Sequence, residues 1–524
     1  MRLRIVLFVL AILAVSCTKI DQPAPGPAPE PDWHAGATVY GYVRAGDSAV
    51  AGAAVSDGTE VAVTDGEGRY AFKSAKENGY VFVSIPSGYE AVRDGVLPEF
   101  FHRCTKRSFE PERIDFELKK VDQSRYRMLF FGDIHLANRR FTKDIQQFRS
   151  FAAEVSALAS GSNVPVYALT LGDMSWNAFW DTNSYGIPEY VEELQRDLSG
   201  LAVFHTMGNH DNDLTIVGDG YGSGPYVKLL CPTYYSFNAG GVHYVVLDDL
   251  VWGNSPAGSG AFKSTVSGNQ LDWLTRDLAL VSKSTPVVVT MHAPLYRKDG
   301  RDALGDFWSL VEKFKGFDRV HFFTGHMHVV YNVDALHRSV HVFESNSGAV
   351  CGGWWMTSTA CKAGFNLSSD GSPGGYRIMD VDGSELSWRF KGTSCPDDYQ
   401  FRTYDRNMFT LPSYEMYRKP SSANEVLINV WDWDPSWRIS VTENGRKLGP
   451  TWLIDAYDPL YISSYENYET EHNYSISYPS SETDHICRVT ASAPDTPLEI
   501  EVTDRFGRSY RQHMERPKAF PDFK

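Results

Sequence analysis

Val320-His321-Phe322-Phe323-Thr324-Gly325-His326-Met327-His328 is an apolar run that ends in a glycine and two histidines at i and i+2. Alternate residues of an extended chain point the same way, so both imidazoles leave the end of a buried strand together. They can reach one metal if carboxylates converge from elsewhere. Four upstream runs end alike: RMLFFGDIH at 127–135, VYALTLGDM at 166–174, VFHTMGNHD at 203–211 and VVVTMH at 287–292. A single histidine at a strand end is ordinarily structural. Five of them, His135, His210, His292, His326 and His328, stand just past five apolar runs with Asp133, Asp173, Asn209 and Asp211. That recurrence is improbable as independent accident.

The spacing around these runs predicts an α/β fold. From Tyr126, strand-like apolar runs alternate with amphipathic helix candidates at 141–158, 188–198, 269–282 and 304–314. Such alternation implies buried, partly parallel strands, and open α/β sheets bind ligands beyond the carboxyl ends of their strands. The later segments HVFES, GYRIMDVD and LSWRFKG lack intervening helices and suggest a second sheet packed on the first. The core at 121–395 therefore reads as a two-sheet α/β sandwich.

Mixed imidazole and carboxylate ligands without thiolate favour Zn, Mn or Fe. Nine such groups exceed the needs of one ion. Two divalent transition-metal ions, roughly 3.5 to 4 Å apart, would share a carboxylate, lower the pKa of a bridging water and clamp the oxygens of an in-line displacement at phosphorus.

Flanking segments have a different texture. Residues 34–120 alternate polar and apolar in short runs with DG and EG turns, which predicts a small antiparallel β-sandwich. The stretch GAAVSDGTEVAVTDGEGRYAF resembles the regulatory-like β-sandwich appended to carboxypeptidases and many exported enzymes, and it has a structural or spacing role. Residues 396–524 again alternate with period 2, with an NG turn at Asn444-Gly445, and predict a mostly-β C-terminal domain. Trp431, Trp433 and Trp437 read as core and hairpin packing there, with a sugar-stacking platform as the alternative.

At the N-terminus, Arg2 and Arg4, the apolar run Ile5 to Val15 and the small residues before Cys17 read as a signal peptide over 1–16. A cysteine at that point resembles the lipobox of bacterial lipoproteins, which makes Cys17 the lipidation site. The Pro-rich stretch 17–33 is then a tether, and the protein is expected to be exported and lipid-anchored to a bacterial membrane, on its periplasmic or cell-surface face. Removing 1–16 leaves 48 basic against 65 acidic residues, a charge of −17. That surface repels polyanions and argues against nucleic acid as a partner. A positive site at metals accepts a small phosphate ester or phospho-glycan.

Taken in order, GDIH, GD, GNHD, a lone His and GHMH are similar to the signature of calcineurin-like metallophosphoesterases, over about Tyr126 to Lys391. A β-domain on either side of such a core also looks like exported bacterial members. The resemblance implies a dinuclear hydrolase of phosphate mono- or diesters. Asp133, His135 and His328 would hold the first metal, Asp173 would bridge, and Asn209, His292 and His326 would hold the second. His210 would sit over the scissile phosphate, oriented by Asp211. The arginine that protein phosphatases place after the GD motif is missing, and Trp176 stands where purple acid phosphatases have a tyrosine ligand.

A Gly-rich loop at 345–376 carries Cys351, Cys361, Trp354 and Trp355. A disulfide between the two cysteines is expected to hold it near the metals, with Trp354, Trp355 and Trp176 as substrate contacts. The competing function is a cell-surface glycan- or partner-binding lipoprotein that keeps the core as a scaffold; turnover of an aryl phosphate separates the two.

Overall fold

Two sheets face each other and bring five strand ends to one place. The structure, a computed structural model, describes residues 33–216, 218–253, 262–359, 361 and 363–521. The signal peptide, Cys17 and all of the tether but Trp33 lie outside the described residues. The first sheet runs in the order Ala202–Phe204, Val166–Thr170, Arg125–Phe131, Gly375–Asp382, Glu385–Gly392. Its first three strands are parallel and its last two antiparallel. The second runs Tyr235–Ala239, Val242–Val246, Val287–Thr290, Val320–Thr324, Val340–Ser347, Val330–His337. Its four middle strands are parallel.

Runs such as VYALT and VVVT are buried at every residue, because each sheet is covered on both faces. Between the sheets Phe130 stacks on Phe323 at 4.3 Å and Phe204 on Phe237 at 4.1 Å. On the outer face of the first sheet, helix Asp144–Ser160 sets Phe151 edge-on against Phe131 and Tyr376. Ile187–Asp197, which packs against that helix, and Gly268–Leu278, which packs toward the N-terminal domain, fall on two more of the expected helical stretches. The fourth is shorter, Phe307–Val311 followed by one 3-10 turn.

Two readings of the β segments are corrected. HVFES, GYRIMDVD and LSWRFKG do not form one second sheet: the first joins the six-stranded sheet and the other two extend the five-stranded one. Apolar character marks a strand as buried but not which neighbour it pairs with. In the N-terminal domain, Val39–Ala45 pairs in parallel with Glu112–Arg113 and Phe116–Lys120, so that domain is not wholly antiparallel. One apolar cluster runs from this domain into the core. Phe82 meets Trp273 at 6.0 Å, and the backbone N–H of Asn238 donates to Ile85 O at 2.8 Å.

The C-terminal region holds two antiparallel four-stranded sheets. Asn444 and Gly445 turn the hairpin between Arg438–Glu443 and Arg446–Lys447, both at positive φ as a two-residue hairpin turn requires. Trp431 is fully buried against Val330 and Phe390, while Trp433 and Trp437 belong to a separate cluster. Among the described residues, no helix is long and apolar enough to cross a membrane.

A buried ion pair ties this region to the core. Arg377 donates to Asp432 at 2.7 Å, and Asn332 donates to the same carboxylate at 3.1 Å. Both Arg377 and Asp432 are sealed from solvent. Arg377→Ala strands the carboxylate and is expected to cost about 3 to 5 kcal/mol. A chemical-denaturation midpoint within error of the wild type refutes this.

Candidate metal centre

Each candidate ligand stands in the first few residues after a strand, where the chain must turn sharply. Asp133, His135, Asp173, His326 and His328 all have positive φ, between 49° and 70°. A non-glycine residue held there persists only when its surroundings fix it, and such residues cluster at functional sites. The glycines beside them clear space. A Cβ on Gly208 would fall 2.2 Å from Asp173 Oδ1, and one on Gly325 would fall 2.6 Å from Asp133 Oδ2. Gly208→Ala must therefore displace Asp173, and at least about a tenfold loss of metal affinity is expected by analogy with disturbed outer-shell groups. Titration of a chelator against variant and wild type measures it.

The side chains gather into two groups. Asp133, His135 and His328 form one, and Asp173, His292 and His326 the other, with the ligand atoms of each group within 4.8 Å of one another. Asp173 Oδ2 lies 3.5 Å from His135 Nε2 and 3.2 Å from His292 Nε2, so it reaches both. Asn209 Oδ1 is 3.0 Å from His292 Nε2 and adds an amide oxygen to the second group. All seven sequence-derived ligands thus meet in one cluster.

Hydrogen bonds around the cluster choose which nitrogen faces inward. His292 Nδ1–H donates to Leu171 O at 2.8 Å and His328 Nδ1–H to Gly352 O at 3.0 Å, which leaves both Nε2 atoms to the cluster. His135 Nε2 and His328 Nε2 are 2.9 Å apart, and His135 Nδ1 is buried with no partner. Two imidazole nitrogens that close must share a proton or face a common cation.

Charge leads to the same requirement. Burial opposes ionisation of Asp133 and Asp173, yet the surrounding imidazoles hold both carboxyls well below the usual carboxylate range. Burial likewise opposes charge on His292, but Asp173, Asp133 and Asp249 lift it to about 10, and His328 is also raised. Burial pushes His135 down to about 3 and His326 to about 4. Two buried carboxylates here need two positive charges, which divalent cations supply with better geometry than protons. The donor set of imidazoles, carboxylates and one amide oxygen fits Zn, Mn or Fe.

Buried carboxylates hold the ligand-bearing loops, a device the sequence reading largely missed. Asp249 accepts the backbone N–H of His292 at 3.0 Å and of Ala293 at 2.9 Å. Glu344 does the same for Leu295 and Tyr296, both at 2.7 Å. Asp211 belongs with them, which corrects its expected role. It accepts the N–H groups of Asp173, Met174, Ser175 and Gly208 at 2.7 to 3.1 Å, so it fixes the two metal loops against each other and does not orient His210.

Asn177 orients His210 instead. Its Nδ2 donates to Asn209 O and Asn212 O at 3.1 and 3.0 Å, which turns Oδ1 toward His210 Nδ1 at 2.8 Å. An amide oxygen only accepts, so His210 carries its proton on Nδ1 and turns Nε2 away from Asn177. The one signal in the sequence was a polar residue four places after Asp173.

The aromatic residues divide. Trp354 lies against His135 at 4.2 Å, His328 at 4.5 Å and Trp176 at 4.2 Å, with Tyr478 of the C-terminal region at 5.1 Å on its far side. Trp176 is covered in turn by the Arg139 guanidinium at 4.7 Å. Trp355 does not share this position. It is buried, with Nε1 donating to Ile134 O at 2.8 Å, so it anchors the loop and is corrected from the substrate contacts. The expected Cys351–Cys361 disulfide is also corrected, because both cysteines are free. Cys351 packs beside His328 at 3.7 Å, whereas Cys361 belongs to a separate apolar cluster toward the C-terminal region.

Comparison with known proteins bears on this geometry. Purple acid phosphatase 23 of Arabidopsis thaliana is 28% identical over 234 residues, which are 39% of this chain and 47% of that protein. The chain thus spans about half the length of that curated relative. TT1561 of Thermus thermophilus shares 13% identity over 50% of this chain and 98% of its own, with a TM-score of 0.29. Wild-type Vps29 of Entamoeba histolytica, solved with Zn, shares 14% over 51% of this chain and 97% of its own, with a TM-score of 0.23. Structural scores this low carry no argument. The family models carry more: the N-terminal domain of calcineurin-like phosphoesterases matches residues 37–121, the calcineurin-like phosphoesterase domain 126–330 and its C-terminal domain 344–510. With all three consecutive parts matched in order, the chain belongs to the calcineurin-like phosphoesterase family.

Proposed function

We propose that the protein is a dinuclear metal-dependent hydrolase of phosphate mono- or diesters. The observation that carries this reading is the position of Asp173 Oδ2, within 3.5 Å of an imidazole nitrogen from each ligand group. Asp133, His135 and His328 would hold one divalent ion, and Asn209, His292 and His326 the other, with Asp173 within reach of both. When bound, the two ions supply Lewis-acid polarisation of the phosphoryl oxygens and a water of lowered pKa.

This chain's own residues do the rest. His210, held by Asn177, presents Nε2 to the phosphate and, when protonated, donates there to the leaving oxygen. Trp354 shields His135 and His328 on one side and, with Trp176, offers a flat surface to the substrate. Cys17 carries a lipid that anchors the exported protein to a bacterial membrane, with 17–33 as the tether, a proposal supported by the sequence alone.

The test is direct. Purified, metal-replete protein should contain close to two transition-metal ions per chain by elemental analysis and hydrolyse 4-nitrophenyl phosphate or bis(4-nitrophenyl) phosphate. A folded preparation with zero to one ion, or two ions and no turnover of either ester, refutes the reading.

A further inference from the structure

A cavity of about 600 Å³ opens at His326 and Met327 and runs between the loop after His292 and the C-terminal segment 481–484. Sites of this size take small organic molecules, not a bare phosphate. Ala293, Pro294 and Val329 give it an apolar floor. The core loop brings Arg297, Lys298 and Arg301 with Asp299 among them, a net positive wall, and the C-terminal segment brings Glu482 and Asp484; Lys298 Nζ donates to the backbone O of Glu482 and links the two. Arg301 pairs within its own loop with Asp299. Arg297 also lies close enough to Asp299 to help hold that carboxyl down, without a direct salt bridge to it, and Glu482 and Asp484 form no salt bridge among the described residues.

Walls of this kind discriminate among leaving groups. A second phosphate is attracted by the cations but repelled by the two carboxylates, and an ammonium group the reverse, so neither is favoured by both walls. A hydrocarbon would desolvate both walls and return no hydrogen bond. A hydroxyl donates to a carboxylate and accepts from a guanidinium, so a ring or chain bearing several hydroxyls satisfies both walls while its C–H faces rest on the floor. We propose that this cleft is the leaving-group subsite and that the preferred substrates are phosphate esters of sugars or other polyols, with Arg297 and Asp484 as specificity-determining contacts. The inference rests on the phosphoesterase reading above.

The test compares leaving groups on the metal-loaded protein. The polyol arm is glucose 6-phosphate, mannose 6-phosphate and myo-inositol 1-phosphate. The others are hexyl phosphate, phosphoethanolamine and hexane-1,6-diyl bisphosphate, for the hydrocarbon, the cation and the second anion. At least one polyol ester should exceed every other arm in kcat/KM by roughly tenfold or more, and Arg297→Ala or Asp484→Ala should shrink that ratio by roughly 10- to 100-fold. Saturation-transfer NMR with free glucose, mannose and myo-inositol reads the cleft without turnover, and a signal that weakens in Asp484→Ala is expected. A different arm ranking first, variants that leave the ratio unchanged, or equal NMR signals overturn the inference. So does turnover of 4-nitrophenyl phosphate with none of the polyol esters. Failure to hydrolyse any ester, the aryl phosphate included, overturns the phosphoesterase reading itself and the inference with it.

Discussion

Asp173→Ala should purify with close to no bound transition metal and with turnover of an aryl phosphate reduced by roughly 10⁴-fold, the loss expected when several kcal/mol of metal-derived transition-state stabilisation disappears. The size of the effect follows from geometry. One carboxylate oxygen stands 3.5 Å from His135 Nε2 and 3.2 Å from His292 Nε2, so its removal strips an anionic donor from both ligand groups at once. The other oxygen accepts the backbone N–H of His210 at 2.7 Å, so the same change loosens the loop that carries His210. Asp173→Asn separates these contributions, since an amide oxygen can still accept from His210 but carries no charge. It should also lose most of the metal while keeping that loop in place. Metal content by elemental analysis, with circular dichroism to confirm the fold, decides the matter. Two ions retained in Asp173→Ala would show that the carboxylate does not bridge.

How much of this was legible follows from what each signal encodes. The meeting of the candidate ligands could be read because each stands within a few residues of the end of an apolar run, and a parallel sheet carries such ends to one edge whatever the strand order. Asp133 and His292 needed no knowledge of which strands are neighbours. Strand pairing did need it, so HVFES was assigned to the wrong sheet: its partner at Val320–Thr324 is chosen by tertiary packing, which local pattern does not record. Asp211 was given the role that Asn177 fills for a related reason. In sequence Asp211 adjoins His210, but its backbone turn directs the carboxylate to four N–H groups across the loop, while Asn177 arrives from another strand end. Cys351 and Cys361 are close in sequence, yet the loop between them passes from the metal cluster to a different core, and proximity along the chain was no guide to their separation.

His210→Asn tests chemistry apart from metal binding, and kcat should fall by roughly 10² to 10⁴ with both ions retained. His210 is not in either ligand group, and its Nδ1 is committed to Asn177, so the imidazole contributes through Nε2 alone. Burial pushes its pKa down, while Asp173 works against that, so the acid form is a smaller fraction at neutral pH but gives up its proton readily. The defect should shrink for 4-nitrophenyl esters, whose leaving groups need little protonation, and grow for alkyl phosphates. Asn177→Ala should reproduce a part of it, about tenfold or more by analogy with other orienting partners of an active imidazole, without changing metal content. A uniform loss across leaving groups would assign His210 to electrostatic stabilisation of the phosphoryl oxygens and not to proton delivery. Loss of an ion in His210→Asn would make the residue a ligand, and unchanged kcat for alkyl esters would place the acid elsewhere.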